Sequence, residues 1–312
     1  MPPTLEPHVE RETDLVGDVE RAHQWSAERA LGTAGDHPRR SGTPLLVNLK
    51  LRLKLALTGT PVGRLAENAR WLTHVGRRRR HPELWDFYLD GRRTDLVLQH
   101  LVEPTWNCVD CGSHVGSVLA LFRSLAPEGR HVAIEADEHK AVAIRRRFRD
   151  VEVHAVALGA DTGWADFLVD RVRPGFSRVL PSGGPDERAQ SVSVPVARLD
   201  DVIDHDVQLI KIDIEGAELP ALRGAKSLLS RCQPVLLFEC GTDESLRCFE
   251  YDRRALFSLL VEEHGYCVYS LIDFLYGRPP MTLAEFQKAG LYPFPGFNFL
   301  ALPAGTPVTR RV

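Results

Sequence analysis

From Thr105 onward the chain alternates short apolar runs with helix-like stretches. The runs are Cys108 to Asp110, His131 to Glu135, Val151 to Leu158, Val207 to Ile214 and Pro234 to Glu239. Between and beyond them, helices are predicted over Val118 to Leu125, Lys140 to Phe148, Leu219 to Leu229 and Asp252 to Glu263. Runs that stay apolar at consecutive positions fit strands covered on both faces, so the expected class is α/β with a parallel sheet. Ser191 to Val196 reads as an edge strand, because Pro195 cannot donate to a ladder. Tyr266 to Leu271 and Phe297 to Leu302 supply two final strands. No internal repeat is present.

Ahead of this region the pattern is weaker. Residues 1–43 mix Pro, Gly, His and charge and are expected to form a loosely held arm, and 44–102 a helical extension before a domain over 103–312. Leu45 to Leu57 fits both a period of two and a helical face. Arg77 to Arg80 is expected to be a solvated charge run. At 44% apolar and 26% charged residues the composition is that of a soluble globular protein, and a net charge of −3 argues against a dedicated nucleic-acid binder. The six cysteines (108, 111, 232, 240, 248, 267) form no compact framework, which favours a reducing cytoplasm. No secretory signal and no membrane-length apolar run is visible, so stable membrane insertion is not expected.

The chemistry sits at the strand ends. Asp110, Glu135, the pair Asp213 and Glu215, and Glu239 each close an apolar run, and ligands of open parallel sheets bind beyond those ends. Gly112 and Gly116 allow close backbone approach, and Glu135, nineteen residues past Gly116, is placed to accept from a ribose diol. A dinucleotide loop would carry a glycine between these two. Here it is missing, and an acid before the first glycine repels a pyrophosphate but suits the ammonium of a methionine-like tail. S-adenosylmethionine is therefore the favoured cofactor, with an NAD-binding oxidoreductase as the alternative. Asp213 and Glu215 share a face at one strand end. Lys211 reads as a strand-entry charge and Glu218 as a first-turn helix acid.

From about Glu103 to Pro303 the chain resembles the FkbM-family methyltransferases, a class I group dependent on S-adenosylmethionine. The resemblance rests on Asp110-Cys-Gly-Ser-His-Val-Gly116, Ala133-Ile-Glu135, Ala155-Val-Ala-Leu158 and Arg198-Leu-Asp-Asp201. It continues through Lys211-Ile-Asp-Ile-Glu-Gly-Ala-Glu218, Leu222-Arg-Gly-Ala225 and Asn298-Phe-Leu-Ala-Leu-Pro303. It implies a Rossmann-like, seven-stranded, mostly parallel sheet with helices on both faces, and methylation of hydroxyls on sugars or secondary metabolites such as polyketides. It further implies cofactor contacts from Asp110, Gly112, Ser113, Gly116, Glu135 and Ala136. Ala157 and Leu158 would lie near adenine, and Asp213 near the methionine end. His114 stands where relatives commonly carry Asn, read here as a neutral loop change.

Methyl transfer to a hydroxyl needs alignment and removal of a proton. Asp213, Glu215 and Glu239 are the leading candidates for the base, with His114 behind them. Alternatively, Asp213 and Glu239 hold Mg²⁺. Cys108-Val-Asp-Cys111 lacks further zinc ligands and reads as buried thiols. Contacts to a small hydroxylated acceptor are expected from the N-terminal segment, Asp170 to Asp186 and Tyr276 to Phe297. A homo-oligomer using exposed Phe294 or Trp85, or a catalytically inactive binding module, completes the expectations.

Overall fold

Strands that are apolar on both faces need helices on both faces, and the computed structural model has this layering. It describes residues 81–169, 178–179 and 190–306, with Thr60, Val62 and Arg79. The arm 1–43, the Leu45 to Leu57 run, most of Arg77 to Arg80 and most of the Asp170 to Asp186 segment lie outside the described residues. A 3-10 turn (Pro82–Leu84) leads into α1 (Trp85–Leu101). There follow β1 (Cys108–Cys111), α2 (Ser117–Leu125), β2 (His131–Ile134), α3 (Glu138–Arg147), β3 (Glu152–His154) and β4 (Ala157–Leu158). Next come β5 (Gly163–Val169), β6 (Arg178–Val179), β7 (Gln190–Ala197), α4 (Leu199–Val202) and β8 (Leu209–Ile212). The helices α5 (Glu218–Arg223) and α6 (Lys226–Cys232) precede β9 (Val235–Glu239). Finally, α7 (Asp243–Arg247) and α8 (Arg253–Ser258) lead to β10 (Tyr266–Ser270), α9 (Leu271–Leu275), α10 (Leu283–Lys288) and β11 (Asn298–Pro303).

The main sheet has seven strands in the order β10-β11-β9-β8-β1-β2-β3. Only β11 runs antiparallel to its neighbours, so the expected mostly parallel sheet is observed. Alternate residues divide between two cores, as pleating dictates. Val109, Ile210, Leu236 and Phe299 pack with α5, α6, α8 and α10 on one face. Cys108, Leu209, Leu237 and Leu300 pack with α1, α2 and α9 on the other. Chain order reverses between β1 and β8, where Asp110 is paired with Lys211. This is the switch point at which such sheets bind ligands.

Several expectations are corrected. Val151 to Leu158 is not one strand: β3 joins the main sheet, whereas β4 belongs to a second sheet, β4-β7-β5-β6. The Ser191 to Val196 strand is not an edge, since β7 lies between β4 and β5. Pro195 is tolerated because the two-residue β4 pairs only with Val196 and Ala197, leaving that side of Pro195 without a ladder. The Leu219 to Leu229 helix breaks at Gly224 and Ala225 into α5 and α6. Phe294 is 7% exposed, packed with Leu84, Phe87, Tyr88 and Phe297, and offers no surface to a second copy. Trp85 is exposed. No helix among the described residues is long and apolar enough to cross a membrane.

Candidate active site

The turn after β1 is shaped by the chain's own packing. Gly112 (φ +78°) and Gly116 (φ +75°) are left-handed, a conformation that disfavours any side chain. A Cβ on Gly112 would stand 1.8 Å from the Asp213 carbonyl oxygen, and one on Gly116 2.6 Å from the Phe148 ring. These glycines are therefore required by the close approach of β1 to β8 and of α2 to α3, whatever the turn binds. Ser113 is buried and donates from Oγ to the Asp110 carbonyl at 2.6 Å. His114 is also left-handed (φ +50°), a region in which Asn, Asp and His are enriched among non-glycine residues.

Glu135 ends β2 beside this turn. Its Oε2 accepts from the His114 N–H at 2.7 Å and its Oε1 from the Asp137 N–H at 2.9 Å. Burial raises its pKa above the ordinary carboxylate range. A carboxylate offers about four acceptor positions, so the pair of oxygens retains capacity for a diol. Ala136 and Ala157 meet in one apolar cluster with Phe167 and Val194, while Leu158 is 5% exposed in the main core.

After β8 the turn runs Asp213-Ile-Glu-Gly216, with Glu215 (φ +57°) and Gly216 both left-handed. Glu218, expected as a helix-start acid, does more than that. Only 1% exposed, it accepts at Oε1 from the N–H groups of Ile214 and Gly216, each at 3.1 Å. Tyr251 donates its hydroxyl to the Gly216 carbonyl at 2.8 Å and lies 3.3 Å from Glu218 Oε2. Burial pushes the Glu218 pKa up to about 7.

Lys211 is not a strand-entry charge. It is 7% exposed, with Nζ 3.0 Å from Asp213 Oδ2, 3.5 Å from Asp110 Oδ1 and 3.3 Å from the Gly112 carbonyl. Burial alone would depress its pKa, but Asp213 and Asp110 outweigh that and hold it above the usual lysine range. Asp110 is 1% exposed, has no well-formed hydrogen bond to either oxygen among the described residues, and has its pKa raised by burial. Glu239 is hydrogen-bonded to Asp213, and burial followed by the charges of Asp213 and Glu215 raises its pKa well above the carboxylate range. Asp213, Glu215 and Glu239 bring one oxygen each within 4.8 Å of one another.

The structure thus gathers Asp110, Asp213, Glu215 and Glu239 around one lysine at the switch point, leaving a net negative rim that fits a cationic ligand. Cys108 and Cys111 fall in separate cores, on opposite faces of β1, and burial raises both thiols, Cys108 to about 12. Sequence reasoning missed Asn298 and Asp90. Asn298 opens β11 directly opposite Glu239, and Asp90 of α1 bonds it. The pairing of strands remote in sequence was the missing information, and the only local signal was the Asn298 to Pro303 motif.

Residues 110–268 match the family described as Methyltransferase FkbM domain. Comparison with curated proteins gives no match. Among solved structures, the methyltransferase FkbM of Methylobacillus flagellatus KT is 21% identical at a TM-score of 0.42, over 65% of this chain. The match spans 45% of that protein's length. An O-methyltransferase of Bacillus cereus, in complex with SAH, is 14% identical at a TM-score of 0.36, over 67% of this chain and 78% of that one. A precorrin-6y C5,15-methyltransferase of Geobacter metallireducens GS-15 is 18% identical at 0.34, over 57% and 71%.

Proposed function

The chain belongs to the FkbM family of S-adenosylmethionine-dependent methyltransferases, and from that premise we propose that it methylates a hydroxyl oxygen of a small sugar or polyketide-like acceptor. The observation that most supports this reading is the hydrogen-bonded pair Asp213 and Glu239 at the tips of adjacent strands, beside buried Lys211. In this reading Asp110, Gly112, Ser113, Gly116, Glu135, Ala136, Ala157 and Leu158 hold the cofactor, within a catalytic domain that begins near residue 103. Bound S-adenosylmethionine supplies a methyl group on positively charged sulfur.

The chain's residues orient the acceptor and take its proton. Asp213 is ion-paired to Lys211, whereas burial and the charges of Asp213 and Glu215 raise the Glu239 pKa, so within the pair a proton is held preferentially on Glu239. Loss of that proton makes Glu239 a stronger base than an ordinary carboxylate, which suits a weakly acidic hydroxyl. The rate is expected to rise with pH through this elevated pKa, because the unprotonated pair is the active form. Glu239→Gln is expected to lower kcat by roughly 10²–10⁴-fold with little change in S-adenosylhomocysteine affinity. Calorimetry and a labelled-methyl assay over sugar, polyketide and peptide hydroxyls check both. An unchanged kcat would remove Glu239 from the role, and failure to bind S-adenosylhomocysteine would favour an inactive binding module.

A divalent ion on Asp213 and Glu239 is the second reading, favoured by the spacing of the three carboxylates. Lys211 already places a positive charge 3.0 Å from Asp213. The same assay run in EDTA decides between them.

A further inference from the structure

The polar row at the rim does not end with the catalytic carboxylates. Asn298 is the register partner of Glu239. Directly paired antiparallel residues project to the same face with Cβ atoms roughly 4.5–5.5 Å apart. On that face α1 supplies Asp90, 7% exposed, whose Oδ2 accepts from Asn298 Nδ2 at 2.7 Å, the Phe297 N–H at 3.0 Å and the Asn298 N–H at 3.1 Å. A carboxylate here only accepts, so the amide nitrogen must face Asp90 and the flip of the amide is determined. Among the described residues no other group bonds that amide, and Asn298 is partly exposed. The helix carrying Asp90 is itself anchored: its Phe87 packs edge-on against Phe297 at 5.4 Å, and in the turn leading into it Glu83 accepts from the Tyr292 hydroxyl at 2.6 Å.

We propose that Asn298, held by Asp90, is an acceptor-binding residue, and that with Glu239 it selects molecules carrying hydroxyls on adjacent carbons. Oxygens on neighbouring carbons lie about a hydrogen-bond length apart. One can therefore bond the carboxylate while the other bonds the amide oxygen or its second N–H. An isolated hydroxyl can engage only one of the two. The inference rests on the hydroxyl-acceptor reading above, and narrows it. It also gives α1, outside the family match, a part in acceptor choice, with Asp90 as a positioning residue.

The test uses the full chain saturated with S-adenosylhomocysteine and two probes, methyl α-L-rhamnopyranoside and cyclohexanol, titrated by saturation-transfer NMR. The wild type is expected to bind the rhamnoside more tightly. Asn298→Ala should weaken the rhamnoside roughly three- to tenfold, the worth of one neutral hydrogen bond, and leave cyclohexanol and S-adenosylhomocysteine unchanged. Asp90→Asn should weaken the rhamnoside in the same direction at constant S-adenosylhomocysteine affinity. The inference is overturned if the wild type shows no preference, if it fails to bind the rhamnoside, or if Asn298→Ala keeps the preference. Failure of S-adenosylhomocysteine to bind sinks the parent reading and this one with it.

Discussion

Two strand-to-helix turns lie side by side at the switch point and follow one plan. The turn after β1 and the turn after β8 each place a non-glycine residue in the left-handed region, His114 in one and Glu215 in the other, with a positive-φ glycine close by. Each is clasped by a buried glutamate that accepts backbone N–H groups. They differ in where the glutamate comes from and what remains of it. Glu135 reaches over from β2 and takes one N–H on each oxygen. Glu218 comes from the first residue of the helix that follows, takes two N–H groups on one oxygen, and has Tyr251 against the other. One clasp keeps acceptor capacity for a ligand, whereas the other is consumed in holding the acids that face it.

The comparison breaks most severely at its shared seam. Gly112→Ala drives a methyl into the Asp213 carbonyl and strains a left-handed residue, so both turns must shift. We expect a loss of at least about 4 kcal/mol, or no soluble protein, read by urea denaturation. Glu218 sharpens the contrast next. At pH 5, Glu218→Ala strands two buried N–H groups and should cost about 2–4 kcal/mol, whereas Glu218→Gln preserves them.

The pH dependence follows from the same residue. Its pKa is about 7 in the folded chain against 4.5 for the free group, so the native state binds more protons between those values. That contribution therefore makes stability fall as pH rises from 4.5 to about 7, by on the order of 3 kcal/mol, with no effect below 4.5. Glu218→Gln should abolish this slope, and an identical slope in the variant would contradict the assignment. The smallest effect falls on the other clasp: Glu135→Ala should weaken S-adenosylhomocysteine roughly ten- to hundredfold by calorimetry. Equal affinity in variant and wild type would refute the ribose role.

What the sequence disclosed follows from the same geometry. The apolar runs of β1, β2, β8 and β9 are buried on both faces, so strand positions and the acids closing them were legible without any partner. Lys211 was misread because a lysine inside a strand looks solvated until its neighbours are known. Only the pairing with Asp110 reveals that it is buried between two carboxylates. The break between β3 and β4 was hidden because Val151 to Leu158 contains no Gly or Pro to mark the point where the chain changes sheets. Asp90 sits in a helix whose sequence carries no motif, and its role exists only through α1 docking against β11.

The strand order has a consequence for biosynthesis. β11, the latest of the seven in sequence, fills the slot between β9 and β10. While the ribosome is still making the chain, β9 has a bare edge and β10 has nothing to pair with. The sheet can close only after residues 298–303 emerge from the exit tunnel, and the opposite number of Glu239 arrives with them. In the acceptor-binding reading proposed above, Asn298 joins Glu239 only when this strand has paired, and until then the nascent chain carries an open β edge.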